Sequence, residues 1–198
     1  MTTAENIFSL IKSNQDLEDF RQLNWTGSLA DYLELVRANP EITRTAYQRM
    51  YDMIMSYGTD EYTEFKKKII RYRFFDDPID NGADAVFGID IHLMRLVSAF
   101  KSAAQRYGTE KRVLLLHGPV GSAKSTIARM LKKGMEAYSS TPEGALYTYS
   151  WKNHDEEGPE WTPCPMHEEP LHLIPEDFRP QVQSELNQGK NGSSVHIE

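Results

Sequence analysis

The segment GPVGSAKS, residues 118–125, places glycines, a lysine and a serine at a spacing suited to holding phosphate groups. A phosphate-binding loop consists of glycine, four residues, a second glycine, lysine, and then serine or threonine. Gly118, Lys124 and Ser125 fit this pattern, whereas Ala123 stands at the second glycine position. In such a loop, main-chain N–H groups and a helix N-terminus converge on the phosphates, the lysine neutralises them, and the hydroxyl ligates Mg²⁺. The spacing therefore predicts a site for nucleotide phosphates and Mg²⁺, with Ser125 as the magnesium ligand.

The alanine changes this loop in one respect, the space and backbone freedom at position 123. Ala123 retains its N–H donor, adds one methyl group, and carries a steric penalty only if its φ is positive. We expect a right-handed backbone there, directly before a helix, and such a backbone accommodates alanine. The predicted phosphate cradle is therefore competent, and its residues are Gly118, Pro119, Val120, Gly121, Ser122 and Ala123.

A strand before the loop and a helix after it would hold these groups in place. The run VLLLH, residues 113–117, is short and continuously apolar, which is typical of a parallel strand covered on both faces. The segment ALYTYSW, residues 145–151, alternates and predicts a second strand, and residues 152–170 are predicted to be a loop. A short helix interrupted by Pro180 is predicted beyond it. From Lys124 onward, apolar residues recur at helical spacing: Ile127, Met130, Leu131, Gly134, Met135 and Tyr138.

Residues 1 to about 85 are predicted to be helical. In the clearest segment, residues 39–58, Asn39 can cap the helix, Pro40 suits its first position, and Gly58 can end it. One face of this segment carries the apolar residues Ile42, Ala46, Met50, Met53, Ile54 and Tyr57. The basic cluster KKKIIRYR, residues 66–73, indicates a solvated helix face, with a contact site for an acidic partner as the alternative.

A segment rich in Asp, Gly and Pro, residues 76–86, predicts a loop and a domain boundary. A further helix is predicted over residues 89–108, with Gly108 as its stop. Its apolar face consists of Leu93, Leu96, Val97, Phe100, Ala104 and Tyr107.

Composition narrows the class of protein. The chain has 198 residues, 39% of them hydrophobic, and a net charge of −7, which argues against nucleic acid as a partner. A single cysteine, Cys164, fits a reducing compartment. The N-terminal residues lack the pattern of a secretory signal, and no apolar run reaches the length of a membrane span. We therefore expect a soluble, cytoplasmic protein without a membrane partner.

The residues that would use a bound nucleotide are not evident. Hydrolysis calls for an acidic residue at the end of a second apolar strand. The acidic pairs Asp155-Glu156, Glu168-Glu169 and Glu176-Asp177 follow no such strand. The chain contains no His-Arg-Asp, and Asp177-Phe178-Arg179 shares only two residues with the Asp-Phe-Gly of protein kinases. We therefore assign no catalytic residue in this chain and expect that it stops before the second acidic motif.

Several segments in this order resemble the N-terminal part of the PrkA-type serine protein kinases, whose N-terminal region is an AAA+ ATPase domain. The matching segments are YDMIMSYG (51–58), RYRFFDD (71–77), VFGID (86–90), the strand, loop and helix through W (114–151) and CPMHEEPLHLIP (164–175). Loops ending in AKS also resemble those of MCM helicases and MoxR-type AAA+ proteins. The resemblance implies an α/β protein, a P-loop NTPase of AAA+ type with an incomplete three-layer αβα core, preceded by an α-helical N-terminal region. It places the helical region at 1–85 and the truncated nucleotide-binding domain at 86–198.

The resemblance also implies roles for residues outside the loop pattern. Phe87 and Gly88, within VFG (86–88), would lie against the adenine, and a plain domain linker stays open as the alternative. Thr126 would contact the α-phosphate. ATP and Mg²⁺ are the implied cofactors, and phosphorylation of protein serine is the implied activity of the full-length family member. The alternatives are an ATP-driven remodelling or proteolysis machine and a non-catalytic nucleotide-binding or docking fragment. A homo-oligomeric ring is a further implication, and the protein substrate is not identified.

The segment CPMHEEPLH, residues 164–172, contains metal-type ligands. Cys164, His167 and His172, with His154 as a fourth, could bind a metal ion, although structural zinc sites usually have more closely paired ligands. A loop near the nucleotide or at a subunit interface is the reading that we favour for this segment.

Overall fold

The computed structural model describes residues 24–155, 158–188 and 194–197, and for 153–155 and 158–160 it describes the main chain alone. The helical prediction for residues 1–23 lies outside this part of the chain. None of the helices in the described ranges combines the length and the apolar character that crossing a membrane requires.

Two short helices open the described chain, and each begins at a capped residue. Helix α1 (Leu29–Ala38) begins after Ser28, and helix α2 (Ala46–Ser56) begins after Thr45. In both, the cap hydroxyl accepts from the third helical N–H while that residue's side chain accepts from the cap N–H, so two otherwise unpaired donors are satisfied. Asn39 caps, as predicted, but it starts only a short 3₁₀ turn.

A β-hairpin follows α2 and corrects the prediction of helix up to residue 85. Strand β1 (Thr59–Glu64) pairs antiparallel with strand β2 (Lys67–Tyr72), so the basic cluster lies on a strand and not on a helix face. Lys68 pairs with Glu61 at 2.6 Å across the hairpin. Strand β1 is rich in acidic residues and strand β2 in basic ones, so oppositely charged side chains face each other across the ladder. The β-branched Ile and Thr of the two strands also favour the extended backbone.

Helix α3 (Asp90–Ala104) and helix α4 (Lys124–Ser139) complete the main packing unit. The predicted apolar face of α4 packs on the first core, as do Leu93, Leu96, Val97 and Phe100 of α3, whereas Tyr107 lies beyond α3 and is 74% exposed. Helix α3 ends at Ala104, before a left-handed Arg106 (φ +59°), so the prediction that Gly108 ends this helix is wrong. The first core consists of Met53, Ile54, Tyr72, Phe74, Phe75, Val86, Leu93, Val97, Phe100, Ile127 and Met130. Residues from both sides of the division predicted near residue 85 share this core. The division itself stays a prediction about how the chain is organised.

The parallel strand predicted at residues 113–117 is not present in the structure. Residues 113–119 belong to neither helix nor strand, and the side chains of Val113 and Leu115 are 95% and 83% exposed. The sheets in the described ranges are two antiparallel hairpins, and neither supplies a neighbour for this segment. An apolar run forms a strand only where a second backbone accepts and donates its hydrogen bonds, and the described residues place no such backbone beside it.

The second hairpin lies where a loop was predicted. Strand β3 (Ser150–Asp155) pairs antiparallel with strand β4 (Gly158–Pro163), so the strand predicted over 145–151 begins only at Ser150. Trp151 and Trp161 are 51% and 63% exposed. Where its side chains are described, at residues 150–152 and 161–163, the hairpin is exposed on both faces. Such strands need no apolar alternation, which is why the pattern did not reveal β4.

A second core joins helix α1 to the C-terminal part of the chain. It consists of Tyr32, Val36, Ile42, Leu171, Ile174, Leu186, Val195 and Ile197. Tyr32 also donates a hydrogen bond to Glu169 Oε1 at 2.7 Å, and burial raises the pKa of that carboxyl above its ordinary value. Helix α5 (Arg179–Leu186) carries Pro180 in its first turn, where no N–H donor is required, so the proline does not interrupt it.

We expect Gly134→Ala to lower the free energy of unfolding by about 1–3 kcal/mol, because the added methyl overpacks the first core. A Cβ at Gly134 would lie 2.6 Å from Phe74 and 2.7 Å from Met53 Sδ. Urea denaturation measures the change. Lys132→Ala, at an exposed position of the same helix, is the matched control and should stay within about 0.5 kcal/mol of the parent. Equal stabilities for the two variants would contradict this account of α4 packing.

Candidate nucleotide-binding site

The loop between residue 117 and helix α4 is compact and contains two left-handed residues. Gly121 has φ +81° and Ala123 has φ +57°. The expectation of a right-handed backbone at Ala123 is therefore wrong: this residue turns the chain from the loop into α4. A Cβ at Gly118 would lie 2.8 Å from Ser122 Oγ, so any larger residue there would displace the Ser122 hydroxyl from its present position.

The ammonium group of Lys124 lies inside the loop. Its Nζ donates to the carbonyl oxygens of Gly118 at 2.8 Å and Pro119 at 2.5 Å, and to Ser122 Oγ at 2.9 Å. Ser122 Oγ in turn donates to the Pro119 carbonyl at 2.8 Å. A positive charge is thus held within the concave side of the turn, and its partners among the described residues are neutral oxygens.

The N-terminus of α4 has no side-chain cap. Ala123 occupies the cap position and makes no side-chain hydrogen bond, and the first turn contains no acidic residue. The first N–H groups of a helix lack intrahelical acceptors, and the helix dipole places partial positive charge at the same end. Ser125, exposed, and Thr126, half-buried, lie in this first turn. The structure therefore brings free donors, an ammonium and two hydroxyl-bearing residues to one end of α4, next to the fully exposed side chain of Val120.

The segment VFG, residues 86–88, and the loop share the first core. Val86 is buried in the first core, against which Ala123 also packs, and its N–H donates to the Phe75 carbonyl at 2.9 Å. Phe87 is 67% exposed, and the Arg71 guanidinium lies 5.3 Å from its ring centroid. Gly88 has φ +77°, a conformation that favours glycine. Val86 thus anchors this segment to the first core, while the Phe87 ring lies at the surface.

Sequence reasoning treated residues 76–86 as a connecting loop and missed its contacts with α4. Asp84 forms two hydrogen bonds with the Arg129 guanidinium, and Lys133 contacts both Asp80 and Asp84. The Arg129 guanidinium holds the pKa of the Asp84 carboxyl below its ordinary value. A usable signal was present, because Arg129 and Lys133 are four residues apart and therefore share one face of the helix.

The segment 164–172 brings no metal site together among the residues whose side chains are described. Among all residues with described side chains, three metal-type ligands come together elsewhere, at Asp77, Asp80 and Asp84. Their carboxylate oxygens lie within 4.8 Å of one another. Cys164 is buried, and hydrogen bonds from the Glu168 main chain and the Tyr149 hydroxyl hold the pKa of its thiol below the ordinary value.

A glycine-containing turn that leads into a helix bearing lysine and serine defines the class of P-loop nucleoside triphosphatases. Residues 27–192 match the family described as PrkA AAA domain. The chain belongs to this family, as the resemblance predicted.

Two curated proteins are similar to this chain. An "ATP-dependent protease PrkA" of Bacillus subtilis (strain 168) is 40% identical over 177 residues, which cover 89% of this chain and 24% of that protein. An "Uncharacterized protein in gldA 5'region" of Geobacillus stearothermophilus is 35% identical over 109 residues, covering 54% of this chain and 99% of that protein. No solved structure matches the chain. The chain thus spans about a quarter of the Bacillus relative, whose name gives a protease and not a kinase.

Replacing Ala123 by glycine should raise the free energy of unfolding by up to about 1 kcal/mol. A left-handed alanine is strained by about 1–2 kcal/mol. The extra freedom of glycine in the unfolded chain and the loss of the methyl's contact with the first core each offset part of that gain. The control is Ala128→Gly on an exposed position within α4, where glycine costs about 1 kcal/mol. Thermal or urea denaturation compares the two. Losses of stability in both variants would contradict the left-handed backbone at residue 123.

Proposed function

We propose that this chain is the ATP- and Mg²⁺-binding module of a larger AAA protein. The observation that carries the proposal is the Lys124 ammonium held inside a compact loop at the uncapped N-terminus of α4. This arrangement supplies a full positive charge, main-chain donors and a helix dipole to one small volume. A triphosphate is the ligand whose charge and oxygen geometry match that combination.

Each predicted site residue takes a specific role in this proposal. Lys124 exchanges its neutral carbonyl partners for phosphate oxygens, and hydrogen bonds between charged partners are the stronger ones. Ser125 ligates Mg²⁺, and Thr126 contacts the α-phosphate. Phe87 and Gly88 receive the adenine. The main-chain N–H groups that surround the phosphates belong to the loop residues Gly118, Val120, Gly121, Ser122 and Ala123, and Pro119, which has no N–H, shapes the turn.

The proposal also includes a fold for the complete domain. Residues 113–116, whose apolar side chains are exposed here, would form the central strand of a three-layer αβα core once neighbouring strands flank them. The division of the chain into a region 1–85 and a nucleotide-binding domain from residue 86 belongs to the same proposal, as do a ring-shaped homo-oligomer and a cytoplasmic location. The absence of a matching second acidic motif in this sequence leaves turnover of the nucleotide to residues other than these.

We expect Lys124→Ala to weaken ATP binding by roughly tenfold or more, because the variant removes the one full positive charge inside the loop. Calorimetric titration of the purified chain with ATP and Mg²⁺ measures the affinity. Lys132→Ala, on the exposed face of the same helix, should bind like the parent. Undiminished affinity in Lys124→Ala would remove the assignment of this loop as the phosphate site.

For the whole protein, ATP-dependent proteolysis is the candidate that a specific observation favours. The Bacillus relative is named as an ATP-dependent protease and is 40% identical over the matched residues. Serine phosphorylation, which the resemblance to PrkA-type kinases implies, is the competing activity. In either case this chain would supply nucleotide binding, and the reaction with a protein substrate would involve further parts of the protein.

An assay on the full-length protein separates the two activities. Unstructured casein is incubated with γ-labelled ATP and Mg²⁺, and both released peptide and protein-bound label are followed. We expect ATP-dependent peptide release that Lys124→Ala abolishes, with no label on serine. Label on casein serine without peptide release would overturn proteolysis in favour of the kinase.

A further inference from the structure

An ionic contact fastens the loop of residues 77–84 to the helix that bears Lys124. We call it the aspartate clasp, and its members are Asp77, Asp80 and Asp84 of the loop and Arg129 and Lys133 of α4. The Arg129 guanidinium binds Asp84 in a bidentate manner, with Nε 2.7 Å from Oδ2 and Nη2 2.5 Å from Oδ1. Lys133 binds Asp80 and lies 3.4 Å from Asp84 Oδ2.

Asp77 organises the loop side of the clasp. Its residue is 2% exposed and has φ +56°, an uncommon backbone for a residue with a side chain. One carboxylate oxygen accepts from the Asp80 N–H at 3.3 Å, and the other accepts from the Asp84 N–H at 2.8 Å. The carboxylates of Asp80 and Asp84 are therefore presented from a folded loop, and the cations of α4 compensate them. With these partners in place, the three aspartates do not need a metal ion to account for their proximity.

The clasp lies between the two parts of the proposed nucleotide site. Asp84 precedes Val86 by two residues, and Val86 leads directly into Phe87 and Gly88. Arg129 follows Ser125 by four residues, about one helical turn. The side chain of Asp84 is 16% exposed and that of Arg129 is 52% exposed, so the contact is open to solvent on the arginine side and its bidentate geometry, more than burial, sets its strength.

We propose that Asp84 and Arg129 form a positioning pair that fixes the adenine segment at a set distance from the phosphate loop. The inference rests on the proposed function, since it assigns the two segments to the two ends of ATP. Neither residue touches the nucleotide in this scheme. The pair lets the adenine and the triphosphate of one ATP molecule be bound simultaneously. Two contacts on one ligand reinforce each other only when the distance between the two protein segments is fixed.

The positioning role predicts different responses to two probes, ATP and inorganic tripolyphosphate. Arg129→Ala frees residues 86–88 from α4, so ATP should lose the benefit of simultaneous contacts and bind roughly fivefold more weakly. Tripolyphosphate contacts only the loop and should bind Arg129→Ala as it binds the parent. Asp84→Asn, which retains the shape and the N–H but not the charge, should act in the same direction. Arg129→Lys retains the charge without the bidentate fork and should fall between.

Titration of the full 198-residue chain with each probe in the presence of Mg²⁺ tests the proposal, with Lys132→Ala as the matched control. Retained tripolyphosphate binding in Arg129→Ala shows that its loop is still folded. Equal weakening of both probes would overturn the positioning role and leave the clasp as a purely stabilising contact. Unchanged binding of both probes would also overturn it. If the parent chain binds neither probe, or if Lys124→Ala does not weaken either, the proposed function fails instead.

Discussion

The close packing of helix α4 on the first core is the constraint on which the rest of the structure depends. Gly134 has no side chain, so Phe74 and Met53 reach the helix backbone itself. At the C-terminal end of α4, the buried Arg49 guanidinium donates to the Ser139 hydroxyl at 3.0 Å and to the Gly144 carbonyl at 2.5 Å. A cation at that end also opposes the negative pole of the helix dipole. These contacts fix the orientation of α4, and its orientation decides where the loop at its other end points.

Local signals predicted the helices well because each helix carries its own pattern. The apolar stripe and the start of α4 at Lys124 follow from spacing alone. The end of α3 did not, because the left-handed residue after this helix is Arg106 and not the predicted Gly108. The strands were less accessible. Residues 113–117 have the composition of a buried strand, yet a strand needs hydrogen-bonding neighbours that lie elsewhere in a sequence. Conversely, β1 and β2 were mistaken for helix, because a run of lysines suits a solvated helix face as well as a charged hairpin.

The loop pattern identified the residues of the candidate site, but it did not predict the backbone conformation of the loop. The residue types and their order indicated the position of Lys124 and Ser125, and membership of the PrkA AAA domain family agrees with that motif. The left-handed backbone of Ala123 was missed because a motif records residue types and not dihedral angles. The clasp at Asp84 and Arg129 was missed for another reason: its partners are 45 residues apart in the chain, and only tertiary packing brings them together.

A single methyl group at residue 123 is compatible with the contacts that hold Lys124 inside the loop. The Lys124 ammonium is held by carbonyl oxygens of Gly118 and Pro119 and by the Ser122 hydroxyl, and none of these contacts involves the alanine methyl. Ala123 packs against the first core, so its methyl contributes to burial. The strain of its positive φ is therefore offset in part by apolar contact, a compensation that glycine could not provide. The substitution changes how the loop is anchored while leaving its donors and its charge in place.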